Sequence, residues 1–316
     1  MRAREPIHLV VNDPTTPADT RAKLSYVLEA RRFAAEELGI EVGESYTMFT
    51  QLERDTLALV VSAAPKDQLG SVTWWFPIVG RVPYRGFFDY EDAYQAAADL
   101  EEEGYDTYVR PTAAFSTLGW FNDPLLSTAL DTDDVEVVTT VLHELAHQHL
   151  FVSGHVDFNE SFANFAGRVG AIQFFCTREG GGPETVRCQR AQERWRDYQR
   201  FSVFIDELRS ELEWLYYSPE RSYDQKVAER EVVFAEARRR FAEEVQPTFE
   251  AVTFQGFLTT PMNNATLMGR LFYYNRLPDF DLLLEQHGGS LTSVLADLRA
   301  RSGQVEEPFE LLPRGP

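Results

Sequence analysis

Residues 137–149 read Val-Val-Thr-Thr-Val-Leu-His-Glu-Leu-Ala-His-Gln-His (VVTTVLHELAHQH). Val135, Val138, Leu142, Leu145 and Ala146 recur at helical spacing, which predicts a helix over 133–149. Asp131, Thr132 and Asp133 stand in front of it as N-cap candidates. On such a helix His143 and His147 leave one face a single turn apart, so their imidazoles can converge on one zinc ion. Glu144 follows the first histidine and can reach a water bound there. Zinc lowers the pKa of that water towards ~7. Glu144 would accept its proton and later pass it to a leaving amine.

A catalytic zinc usually takes three protein ligands and a water. One zincin pattern places a third His six residues after the second, with a Gly between. Here Leu150 and Ser153 occupy those positions, so that pattern fails. The following stretch, HVDFNESFANFAGRVGAIQFF, predicts a second helix over 158–177 with Glu160 near its start. The spacing from His147 lets the first helix end, the chain turn and the second helix return beside it. Glu160 is therefore preferred as third ligand, with His155 in the turn as its competitor. Asn164 lies one turn beyond Glu160. It reads either as a partner for a ligating imidazole or as a surface amide.

Outside this region the sequence bounds the function. The 316 residues carry 30 Lys+Arg against 50 Asp+Glu, a net charge of -20. That balance repels phosphate backbones and anionic membrane surfaces, so nucleic acid is excluded as a partner. Hydrophobic residues make up 44%, enough for a sizeable core and against general disorder. No apolar run approaches the ~18 residues of a membrane span.

The pattern along the chain predicts a helix over 17–38, then strands over 57–63 and 72–79. Residues 80–89 read as an extended segment interrupted by Pro83, which marks it as an edge strand. A helix over 90–103, a strand over 105–109 and a loop over 110–132 follow. Beyond 133 the spacing predicts helices over 133–149, 158–177, 184–217, 220–245, 262–275 and 290–302, with a break at Gly180–Pro183. The fold class expected is α+β. A small sheet-containing lobe (1–132) supplies an edge strand near a cleft, and a mainly helical, zincin-like lobe (133–316) carries the zinc site. The two are expected to form one catalytic unit.

The sequence also resembles a known family. HELAHQ followed by FNESFA is similar to the bacterial predicted aminopeptidases, gluzincin-type zinc metallopeptidases with HExxH and a downstream Asn-Glu motif. Trp75–Gly80 with Val82–Phe88, Ser116–Phe121 with Asp123–Thr128, and Asn263-Asn264-Ala265 extend the resemblance over most of residues 5–275. It implies zinc as cofactor, a peptide as substrate and a periplasmic or cell-envelope location, with the cytoplasm as alternative. Family members commonly carry a secretion or lipoprotein leader before the Arg-Glu-Pro-Ile position, residue 4 in this chain. The chain thus reads as trimmed of its leader or naturally shortened, with membrane anchoring through that leader as one option.

Several residues are candidates for the remaining roles. Tyr84, Arg85, Tyr273 and Tyr274 could stabilise the oxyanion that forms in the transition state. Asp123 or Asp157 could grip a substrate α-amino group. Cys176 and Cys188 flank the Gly180–Pro183 break and are either a disulfide at the closed end of a helical hairpin or two free thiols. The function expected is a zinc-dependent aminopeptidase with His143, His147 and Glu160 as ligands and Glu144 as base and acid. A zinc endopeptidase and a non-catalytic metal-containing peptide-binding or envelope protein are the alternatives.

Overall fold

The computed structural model describes residues 4–52, 56, 58–76, 80–112 and 124–315. The chain begins with β1 (Glu5–Pro6), α1 (Ile7–Asn12) and α2 (Ala18–Glu36). The strands β2 (Met48–Thr50), β3 (Ala58–Ala64), β4 (Trp74–Phe76), β5 (Gly80–Val82) and β6 (Arg85–Phe87) follow. Helix α3 (Tyr90–Glu102), β7 (Asp106–Thr112) and β8 (Leu125–Leu126) complete the strand-rich part. Asp89 starts α3 by accepting from the backbone N–H groups of Glu91 and Asp92, satisfying two donors that a helix start leaves free.

β3 lies at the centre of a three-stranded antiparallel sheet of order β6-β3-β7, and all of its residues are buried. One face packs against α3 through Leu59, Val61, Ala93 and Ala97. Among the described residues β6 pairs with β3 alone, so it is an edge strand, as Pro83 implies. β4 and β5 form a separate hairpin, and β1, β2 and β8 a small second sheet.

The rest is helical: α4 (Asp134–His149), α5 (Val156–Thr177), α6 (Val186–Tyr216), α7 (Tyr223–Arg240), α8 (Gly256–Thr259), α9 (Asn264–Tyr274), α10 (Leu277–Gln286) and α11 (Leu291–Arg301). The fold is α+β, with small sheets confined to the N-terminal part, in agreement with the expectation. Helices α1, α8 and α10 and the sheet of β1, β2 and β8 go beyond the elements that the sequence pattern predicts. In α10 the second residue is Pro278, which reads as a breaker in sequence. At the first turn of a helix, however, proline is tolerated because its missing N–H would be unpaired there anyway.

Three features position the later elements. First, α4 and α5 form an antiparallel pair that crosses closely at Gly167. A Cβ there would lie 2.8 Å from Thr139 O and 3.0 Å from the backbone N of His143. Only glycine lets α5 pass this near the turn that bears His143. Second, the disulfide Cys176–Cys188 joins the end of α5 to the start of α6. Third, the Asn263-Asn264 pair ties the start of α9 to the sheet. Asn263 donates to Thr107 O, and the Asn264 side chain donates to Pro65 O and Gln68 O. The Asn264 N–H donates to Asp106, which is also held by Arg230. These buried polar groups are paired, which is the condition for burying them without a net cost. Among the described residues no helix is long and apolar enough to cross a membrane.

Candidate active site

α4 starts where Asp133 accepts from the N–H groups of Val135 and Glu136. Its outer face is buried on α2 and α5, and its inner face carries Glu136, Thr139, Thr140, His143, Glu144 and His147 into a cavity of about 510 Å³. α5 adds Val156, Asn159, Glu160, Asn164 and Arg168 to the same cavity. The opposite wall comes from the strands, through Phe76, Val82, Tyr84, Gly86, Val60 and Arg110. Tyr198 of α6 and Tyr273 and Tyr274 of α9 close one side.

His143, His147 and Glu160 meet at the centre. The two Nε2 atoms are 3.3 Å apart, and Glu160 Oε2 lies 3.4 Å from His143 Nε2 and 3.6 Å from His147 Nε2. Together they form a group able to hold a metal ion. Three donors on a tetrahedral zinc with bonds of ~2.0–2.1 Å are separated by about 3.3–3.4 Å, so the spacing fits that ion. The donor set, two imidazoles and a carboxylate, suits it as well. Burial opposes the Glu160 charge, but His147 and His143 outweigh it and hold the carboxyl well below its usual range. Burial likewise disfavours the His147 imidazolium, yet Glu160 raises its pKa overall. Two imidazoles and a carboxylate, largely buried, thus lie within ion-pairing distance of one another. Glu144 Oε2 is buried and makes no hydrogen bond among the described residues.

His155 does not join this group. It lies in the turn, with Nδ1 3.9 Å from Glu307. Asn164 does not hold an imidazole either. It donates to Tyr273 O at 2.7 Å and accepts from Arg168 Nε at 3.0 Å, and so fixes α9 against α5. Asn159, beside Glu160, is buried and makes a two-way clamp on the preceding turn. It accepts from Val152 N and donates to Val152 O, each at 2.8 Å.

The oxyanion candidates separate. Tyr84 and Tyr273 both line the cavity. Burial and then Glu160 push the Tyr84 phenol up to about 12, and Glu160 and burial raise that of Tyr273 further. Both therefore keep their protons, and their capacity to donate, at neutral pH. The Tyr273 ring stacks near His143 with centroids 6.4 Å apart. Tyr274 also lines the cavity, but its ring packs among Tyr198, Phe201 and Phe254. Arg85 is not brought to the cavity. It is paired opposite Val61, and directly opposed residues share a face of the sheet. Val61 packs under α3, so Arg85 points to that side and lies over the Phe87 ring.

The arginine that does face the cavity is Arg110. It stands opposite Val60, which in turn stands opposite Gly86, and it is within hydrogen-bonding reach of the Tyr273 phenol. The strand expected over 105–109 stops one residue short of it. The continuing alternation of Tyr108 and Arg110 is the signal that finds it. Asp157 contacts Asn275 and does not line the cavity. Asp123 lies outside the described residues.

With this geometry established, a family model described as "Putative aminopeptidase" matches residues 1–307. The chain belongs to this family. No curated protein and no solved structure matches it. The match covers both the strand wall and the helices that carry the histidines, so the family segment includes every element that lines the cavity.

Proposed function

We propose that the protein is a zinc-dependent peptidase acting as an aminopeptidase. The observation that carries this reading is the convergence of His143, His147 and Glu160 beside Glu144, whose Oε2 is buried with no hydrogen-bond partner among the described residues. His143 Nε2, His147 Nε2 and Glu160 Oε2 would hold the ion. When bound, zinc supplies Lewis-acid polarisation and lowers the pKa of a water. Glu144 takes the proton of the attacking water and returns it to the leaving amine. Tyr84 and Tyr273, protonated at neutral pH, donate to the oxyanion as it develops. Glu144 also counts against a purely binding role, because a structural site has no use for a carboxylate oxygen, Oε2, buried without a partner among the described residues.

The purified protein should contain about one zinc per chain. Glu144→Gln should keep that zinc and lose roughly 10³- to 10⁴-fold in peptide hydrolysis. A stable, metal-free chain would overturn the reading.

The exopeptidase aspect rests on the family. A second reading, a zinc endopeptidase, is favoured by one observation. Among the described residues, Glu136 is the one carboxylate lining the cavity beyond Glu144 and Glu160, and Arg168 and Arg194 already pair with it. A substrate ammonium would have to compete with both. Hydrolysis of free but not N-acetylated peptides supports the aminopeptidase; equal hydrolysis supports the endopeptidase. We further place the protein in the periplasm or cell envelope. The Cys176–Cys188 disulfide supports this, since such bonds persist in oxidising compartments. Fractionation with thiol labelling tests it: labelled, unpaired cysteines in a cytosolic fraction overturn the placement.

A further inference from the structure

The cavity differs on the two sides of the histidines. Towards the start of α4 it is polar, but Glu136, Thr139, Asn164 and Arg168 there are already engaged. Arg168 pairs with Glu136 and donates to Asn164, Asn164 donates to Tyr273 O, and Thr139 donates to Val135 O. Arg168 also stacks on Tyr198, 3.3 Å from the ring centroid. A substrate side chain gains little from groups that have partners.

Towards the end of α4 the lining turns apolar: Phe76, Val82, Phe151 and Val156. Phe76 and Phe151 remain 37% and 39% exposed, large apolar surfaces left open beside the metal-binding group. They are held in place from two sides. Asn159 clamps Val152 by both of its backbone groups, which fixes the adjoining Phe151. Phe76 is paired opposite Gly80, and a Cβ at Gly80 would come 3.9 Å from Ser153 Oγ. The β4–β5 hairpin therefore sits on the same turn that bears Phe151. The result is an apolar mouth beside the metal-binding group, lined by Phe76, Val82, Phe151 and Val156.

We propose that this mouth is the specificity pocket and takes an apolar side chain, of the Leu, Met or Phe class, from the substrate residue beside the scissile bond. The inference rests on reading the site as a peptidase centre. It follows from the hydrophobic effect: an apolar side chain covering Phe76 and Phe151 removes both surfaces from water, whereas a charged one is desolvated without a partner.

The test is cleavage-site profiling of the zinc-loaded protein on a peptide library randomised around the cleaved bond. Leu, Met or Phe at one flanking position should be favoured at least ~10-fold over Gly, Asp or Lys. Phe151→Ala and Phe76→Ala should raise KM for the favoured peptides with a smaller change in kcat. Their fall in kcat/KM should be about tenfold greater for Leu or Phe peptides than for Gly peptides. Trp75→Ala alters the neighbouring, outward side chain of the same strand and should leave the profile unchanged. Cleavage without side-chain preference, or an equal loss on all peptides in both Phe variants, overturns the pocket while the peptidase reading stands. Cleavage of no library member by the wild type overturns the peptidase reading and the pocket with it.

Discussion

Helices α4 and α5 meet across Gly167 with backbone nearly in contact, whereas β4, β5 and β6 face them with three residues each. The helical side is buried behind: Val138, Leu142, Leu145, Phe158, Phe162 and Phe165 are all at most 1% exposed. It is also braced at the end where α4 starts and α5 finishes, by arginines on Asp133 and Glu136 and by the Cys176–Cys188 bond. The strand side leaves Trp75 67% and Phe88 63% exposed. The difference teaches a division of work. The proposed metal ligands, which would tolerate little displacement, stand on the pair of elements that packing determines most strongly. In the proposed reading the short strands carry the groups that would meet a substrate, where variation would change selectivity more than stability.

Metal removal should give the largest effect and tests the helical side directly. A ligand that binds only the folded state stabilises it by RT ln(1 + [L]/Kd), about 4 kcal/mol at a thousandfold excess over Kd. Chelation should therefore lower Tm by several degrees, and added zinc should restore it. A Tm indifferent to chelator and zinc would break the division at its base.

The phenols come next, one from each side of the comparison. Tyr273 belongs to α9, packs near His143 and lies within reach of Arg110. Tyr84 directly precedes the edge strand β6. Tyr273→Phe should lower kcat by roughly 10²-fold at unchanged zinc content, the cost of one oxyanion donor. Tyr84→Phe should cost about tenfold. An equal or larger loss at Tyr84 would show that the strand wall takes part in the chemistry, and the division would need redrawing.

Gly167→Ala probes the helix contact alone. Its Cβ would meet Thr139 O and the His143 backbone, neither of which can swing aside. The expected cost is about 1–3 kcal/mol in stability, the range for overpacking. Zinc affinity should fall as well, because the turn bearing His143 must shift. Calorimetry with zinc titration measures both; a variant with wild-type stability and affinity would mean that the two helices can part at this crossing without cost.

The same contrast explains what can be read in sequence. The convergence of His143, His147 and Glu160 is legible because helical period 3.6 is strict, and a long amphipathic helix fixes which residues share a face. Short strands lack that redundancy. β4, β5 and β6 are too brief for alternation to declare itself, and which face meets the cavity depends on pairing with β3, a long-range fact. The clamp of Asn159 on Val152 and the turn of Asn164 towards α9 are hidden for a related reason: their partners are backbone groups, which no side-chain pattern reveals. The disulfide stays open in sequence, because two cysteines near a break fit either state until the hairpin brings their Cα atoms to 5.0 Å.

Arg85 is the sharpest case and the smallest expected effect. It adjoins Tyr84 in sequence, and by residue type it is as good an oxyanion donor. The antiparallel register places it opposite Val61, and hence on the α3 side of the sheet, while Gly86 opposes Val60 on the cavity side. Because side chains alternate at a period of two, a one-residue slip would exchange the two faces. Arg85→Ala should therefore leave kcat and KM within about twofold and stability within ~1 kcal/mol, the worth of an exposed cation over a ring such as Phe87. The paired variant Arg110→Ala should instead reduce kcat at least tenfold, through the Tyr273 phenol it faces, and Arg110→Lys should recover part of that loss. A large effect at Arg85 with none at Arg110 would mean that β6 pairs one residue away from the Arg85–Val61 register, and it would invert the strand wall while leaving the helical side untouched.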